Sequence, residues 1–180
     1  KINSGLIFSS DDYVDIGSLD LVGSWSIEAW FQYPLPMTST WNSLCKGSSD
    51  HLPIIVQRSS MLLGTYENNG GGFRSSGYDM SGLSAGWHHI VAVGQYSSTH
   101  FYIDGRYVGT APFKSDTDIR SIGNNWHGGQ QFGTVDEVKV YDTALTDTEI
   151  LERYTEYEAG INKIIADDAS AGGPGLQSGD

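Results

Sequence analysis

Between residues 25 and 33 the sequence reads WSIEAWFQY. In an extended chain successive side chains point to opposite faces, so Trp25, Ile27, Ala29 and Phe31 share one side, and Ser26, Glu28, Trp30 and Gln32 the other. A period of two sustained this long argues for a strand whose first set faces a core. Pro34 and Pro36 then end it, since neither can donate to a ladder.

The rest of the chain repeats the pattern in shorter pieces. Residues 2–8 (INSGLIF) and 13–16 (YVDI) read as strands around a turn holding Asp11 and Asp12. Further strands are expected near 42–46, 53–58, 61–66 and 73–78, separated by turn-rich stretches such as residues 68–72. Trp87, His89, Val91 and Val93 fall on one face, and residues 100–103 (HFYI) lead into Asp104-Gly105. Asp-Gly between apolar runs marks a two-residue hairpin, because both central residues of a type I′ turn need positive φ. Residues 106–109 return, and a last strand over 133–141 sets Val135, Glu137 and Lys139 opposite Asp136, Val138 and Val140. Having 23 glycines among 180 residues fits so many turns.

One helix is expected. Thr146 to Glu149 forms a capping box, and Ile150, Leu151 and Tyr154 follow at helical spacing. The segment continues irregularly to about Ile165, after which DDASAGGPGLQSGD shows no apolar periodicity. The expected division is one domain over 1–157 and a C-terminal extension or linker, partly disordered, over 158–180. The length suits a single core.

A formal net charge of −12 argues against nucleic acid, whose phosphates require a basic footprint. No apolar run approaches the length of a membrane span, so no membrane insertion is expected. The acidity permits hard cations, calcium first. Cys45 is the only cysteine, which rules out an intrachain disulfide; its apolar surroundings suit a small buried hydrophobe.

Four stretches, taken together, match a family: DDYVDIG, WSIEAWF, GWHHIVAV followed by FYIDGRYVG, and GTVDEVKVYDTALTDTEI. In this order, over residues 6 to 150, the chain resembles the laminin-G-like, concanavalin A-like lectin-type jelly rolls. The resemblance implies an all-β antiparallel sandwich with one short C-terminal helix. It implies a non-catalytic binding module, extracellular or at the cell surface, most simply for a glycan, within a larger adhesin or polysaccharide-active surface protein. It also implies that the opening turn and the last strand lie close, so that Asp11 or Asp12 and Asp136 hold a structural Ca2+. Where the family usually has Asp-Gly after its opening Phe, this chain has Ser9-Ser10. The other reading of the same residues, an Asx turn at Asp11 and Asp12 with Asp136 accepting loop amides, stays open.

The fold also carries glycoside hydrolases, which need two carboxylates roughly 5–5.5 Å or 6.5–9.5 Å apart. Glu28 has only Ser26 and Trp30 beside it on its face, and Asp136 and Glu137 point apart, so no enzyme is expected. His88 and His89 alternate faces and cannot share one metal; a histidine beside a core tryptophan is expected to be structural. Trp25 and Trp87 are assigned to the core.

Sugar-binding sites set an aromatic ring against the pyranose and add amides or carboxylates for its hydroxyls. Residues 124–131 hold that chemistry: Trp126 with Asn124, Asn125, His127, Gln130 and Gln131. Trp41 with Asn42, Tyr66 with Asn68 and Asn69, and Tyr78 with Asp79 are further candidates. Two other functions stay open. One is a protein-interaction or structural module of a surface filament or adhesin, and the other a glycoside hydrolase fragment.

Overall fold

The computed structural model of the chain describes residues 5–9, 12–37, 39–123 and 130–170, the last ten as backbone. In chain order the strands are β1 (Leu6–Ile7), β2 (Tyr13–Asp20), β3 (Trp25–Tyr33), β4 (Trp41–Ser43), β5 (Cys45–Lys46), β6 (Leu52–Gln57) and β7 (Leu62–Glu67). They continue as β8 (Gly72–Asp79), β9 (Gly86–Gln95), β10 (Ser98–Ile103), β11 (Arg106–Ala111), β12 (Asp118–Gly123) and β13 (Thr134–Tyr141), followed by helix α1 (Asp147–Ser170).

The alternating segment becomes β3, inside a six-stranded antiparallel sheet of order β1-β13-β3-β9-β10-β11. The opposing layer holds β2-β12-β5 and β4-β6-β7-β8. These two groups are one surface, because β4 and β5 are consecutive and broken only at Leu44. Its N–H donates to Ile54 on one side at 3.1 Å, and its carbonyl accepts from Gly123 on the other at 2.7 Å.

Between the layers, Trp25, Ile27, Ala29 and Phe31 meet Leu44, Cys45, Ile54, Val56 and Leu63, all fully buried. Each large side chain buried here contributes about 1.5–3 kcal/mol. Trp25 fits because Gly94 faces it; a Cβ at Gly94 would lie 2.1 Å from the indole. Its Nε1 donates to the Ser115 carbonyl at 2.8 Å, so no buried donor is stranded. Burial pushes the Cys45 thiol up to about 12, which suits an inert hydrophobe.

The expected hairpin forms at Asp104 and Gly105, with φ of 51° and 74°. The capping box also forms: Thr146 N–H donates to the Glu149 carboxylate at 2.8 Å, and Glu149 N–H donates back to Thr146 Oγ1 at 3.3 Å.

Three expectations need correction, and one face is covered that the alternation left open. In β13 a bulge at Glu137, with φ of 51°, shifts the register between Asp136 and Lys139. Lys139 therefore pairs with Glu28 on the outer face beside Asp136, not with Val135 on the inner one. Trp87 is half-buried and lies outside the core. The outer face of β3 is also buried, because α1 covers it: Trp30 stacks against Tyr157 at 4.2 Å and Tyr154 at 5.8 Å. Under the same helix, Glu28 accepts from Lys139 Nζ and the Tyr141 hydroxyl, each at 3.0 Å. Finally, α1 runs regularly to Ser170, where an irregular segment was expected.

The strand β2 pairs with β12 and, among the described residues, with nothing on its other side. It is exposed along most of its length and bends at Gly17, whose φ is 75°. The Gly17 N–H donates to Asp15 at 2.9 Å, holding the bend. No helix among the described residues is long and apolar enough to cross a membrane.

Candidate functional site

The outer face of the layer containing β4, β6 and β7 carries half-buried aromatic rings that the core does not use. Strand alternation sends Asn42 and Val56 inward and Trp41 and Ile55 outward. Tyr66 pairs across strands with Leu52 and Phe73. The Trp41 ring lies edge-on to Tyr66, with centroids 5.8 Å apart, and tilted against Phe73 at 5.4 Å.

Trp41, Tyr66, Leu52 and Ile55 make the apolar side of a small depression of about 120 Å³, open to solvent. Its polar side is Lys46, Asp50, Asn68 and Gln130. Lys46 is only 3% exposed, and its Nζ meets the Asp50 carboxylate at 2.6 Å. A charge buried this deeply costs several kcal/mol unless a partner offsets it, so the pair is a fixed feature of the site.

The loop carrying Asp50 is itself held. Asp118 accepts from the Ser48 N–H at 2.8 Å, from the Ser48 hydroxyl at 2.5 Å and from the Ser18 hydroxyl at 2.9 Å. Burial pushes the Asp118 carboxyl up, but these hydrogen bonds outweigh it and hold the group below the usual range. Asp50 has φ of 60°, a conformation aspartate tolerates better than most residues.

Of the residues expected to bind ligand, the fold brings Trp41, Tyr66 and Gln130 together, with Asn68 beside them. The other described candidates lie elsewhere. Tyr78 packs against the sandwich core. Gln131 is buried, and its carbonyl accepts from Asn42 Nδ2 at 2.8 Å; Asn42 also donates to Pro36 at 3.1 Å, so this amide braces the segment against β4. Asn124, Asn125, Trp126 and His127 lie outside the described residues. Lys46, Asp50, Leu52 and Ile55 escaped the sequence reading. A lysine in a short strand ordinarily reads as exposed, and two aliphatics there read as core.

Of the candidate calcium ligands, Asp12 and Asp136 are among the described residues. Asp12 accepts from the Ser9 N–H at 3.0 Å and the Ser9 hydroxyl at 2.8 Å, which hold its carboxyl below the usual range. Asp136 accepts from the Glu137 N–H at 2.8 Å within the bulge, opposite Trp30. Asp11 lies outside the described residues. Among those described, no group of three or more His, Cys, Asp or Glu side chains is placed to hold a metal.

Solved structures share this architecture. Trypanosoma rangeli sialidase, in complex with 2,3-difluoro-KDN, superposes with a TM-score of 0.59 at 14% identity, covering 88% of this chain and 28% of the sialidase. The chain thus spans a little over a quarter of that enzyme's length. The Ruminococcus gnavus IT-sialidase CBM40 superposes with a TM-score of 0.59 at 12% identity, over 84% of this chain and 97% of the module. The heptameric SAP-like pentraxin of Limulus polyphemus gives 0.55 at 18% identity, over 83% and 76%. Identities this low show the fold alone. No curated protein sequence matches the chain. A laminin-G-type family model, described as the concanavalin A-like lectin/glucanases superfamily, matches residues 8–151, most of the described sandwich. The chain belongs to that superfamily.

Proposed function

We propose that this domain binds a glycan, without catalysis, on the outer face of the layer containing β4, β6 and β7. The observation that carries the reading is the Trp41–Tyr66 pair, half-buried over Leu52 and Ile55 and bordered by Asn68, Gln130 and the Lys46–Asp50 ion pair. A pyranose has an apolar face for the rings and hydroxyls for the amide and charged groups. The Ruminococcus gnavus module, named as carbohydrate-binding and matched over nearly all its length, is in keeping with this.

Two observations favour binding over hydrolysis. Asp50 is tied to a buried lysine, which suits a positioned acceptor of hydroxyl hydrogens and leaves no carboxylate pair across the depression among the described residues. Glu28 is 2% exposed beneath α1 and committed to Lys139 and Tyr141. A ligand of this class is met at or beyond the cell surface, and the reading puts the protein there.

The test is a glycan array read with the full chain and with Trp41→Ala. Ring contacts are worth about 1–1.5 kcal/mol, so the variant should bind about tenfold more weakly while melting normally. Array binding indifferent to Trp41 would falsify the site.

A further inference from the structure

Next to the aromatic depression lies a second one, lined by Tyr13, Asp15, Ser48, Arg120 and Ser121. Lys46 and Asp50 line both, so the buried ion pair is their common wall. The two are therefore contiguous on one face, although their chemistry differs. The first has an aromatic and aliphatic side. The second offers a guanidinium, a carboxylate and a phenol ring edge, a set suited to hydroxyl groups and not to an apolar surface.

The strand register gives the scale. Asp15 pairs with Ser121, and Ser121 with Lys46, in one row across β2, β12 and β5. Adjacent strands lie about 4.8 Å apart, so this row spans about 10 Å. Trp41 stands further along the β4–β5 segment, at most about 16 Å from Lys46 at a full strand rise and less for the break at Leu44. One pyranose ring cannot reach from Trp41 past the ion pair to Arg120. A chain of sugars can.

Charge restricts which chain. Lys46 and Arg120 are balanced by Asp50 and Asp15, inside a protein of net charge −12. Nothing here attracts a polyanion, and the whole-molecule field repels one. The dividing wall is also rigid before any ligand arrives. Asp118 holds Ser48 by two hydrogen bonds, and Ser49 pairs with Thr117 at 2.9 Å. A preformed wall lowers the ordering cost of binding.

We infer that the second depression is a further sugar subsite and that the ligand is a neutral oligosaccharide lying across the Lys46–Asp50 ridge, its ring stacked at Trp41 and its hydroxyls bonded at Arg120 and Asp15. This rests on the glycan reading of the first depression. The groups invoked are exposed or half-buried at the rim, so they can be altered without opening the core.

The experiment uses the full chain in calorimetric titrations with neutral hexose and N-acetylhexosamine oligomers of one, two, four and six units. The same lengths capped by a uronate are run in parallel. Affinity should rise about tenfold or more with length, corresponding to the contacts of a second ring. Arg120→Ala and Asp15→Asn should each remove most of that rise and leave single-sugar affinity unchanged, with melting temperatures kept. Trp41→Ala should weaken every length. Length-independent affinity, or long-chain binding indifferent to both rim variants, overturns the subsite and leaves the Trp41 site standing. Tighter binding of the uronate-capped series overturns the neutral assignment. Binding of all lengths indifferent to Trp41, or binding of none, overturns the glycan reading beneath it.

Discussion

His89 lies 1% exposed beside the stacked rings of Trp30 and Tyr154, at 5.2 and 6.2 Å, and neither ring nitrogen has a partner among the described residues. Burial drags its pKa down to about 4, against the opposing pull of Glu28 and Asp104, while Lys139 and Arg153 lower it further. The unfolded chain therefore takes up a proton near pH 6.5 that the folded chain accepts only near 4. Stability contributed by the neutral ring is fully present above pH 6.5 and lost as pH falls from there toward 4, by roughly 3 kcal/mol. Melting curves over that window should show the loss, and His89→Phe, which keeps a ring without the titration, should flatten it. A slope that survives the substitution would assign the effect to other groups. His88, by contrast, is the satisfied histidine, held by Asp104 at 2.7 Å and the Ser84 carbonyl at 2.9 Å. The sequence pointed to a structural histidine for both, because it shows who is next to a tryptophan but not which ring nitrogens meet an acceptor.

Among the elements, the capping box and the β3–β9 pair give the cleanest tests. Thr146→Ala removes the N-cap of α1 and should cost about 1 kcal/mol in urea denaturation. Gly94→Ala drives a methyl into the Trp25 indole from an adjacent strand, and should cost about 3 kcal/mol or prevent folding. Asp118→Ala alters no ligand-facing side chain but frees the loop holding Asp50; glycan affinity should fall while tryptophan fluorescence still reports a folded domain. Element positions were largely legible: the alternation of β3, the Asp-Gly turn and the Thr146–Glu149 pattern each follow from local chemistry. The β13 register was not. One residue in the left-handed region at Glu137 reverses the faces that follow it, and nothing in VDEVKV announces which residue bulges. For the same reason Lys139 was read on the wrong side of the sheet, and its bond to buried Glu28 could not be foreseen.

At the level of the whole molecule, the sandwich depends on α1 as a lid over its second cluster of Val91, Val93, Tyr102, Leu145 and Ile150. A chain ending before Asp147 loses Ile150 and the stacking of Tyr154 and Tyr157, and leaves Glu28 without Arg153, which lies 3.8 Å away. It should lose several kcal/mol of stability and associate through the uncovered sheet, visible as loss of the monomer peak on size exclusion. Excess EDTA, on the other hand, should leave the melting temperature of the intact chain unchanged, since Asp12 is engaged by Ser9 and Asp136 by its own bulge. A fall of several degrees would reveal a bound cation. The jelly roll was readable because many weak local signals agreed. The binding face was only half readable: Trp41, Tyr66 and Gln130 could be picked out as ring and amide chemistry, but the ridge of Lys46 and Asp50 between two hollows exists only once β5, β6 and β12 are side by side.

The bend in β2 has a bearing on crowding. A straight, exposed border strand is an invitation for another copy to zip alongside, and copies held near one another would find each other first. With Gly17 at φ of 75° midway and an Asp15 clasp fixing the corner, only short stretches on either side remain straight. Neighbouring copies at high concentration can therefore lie close together and remain separate domains.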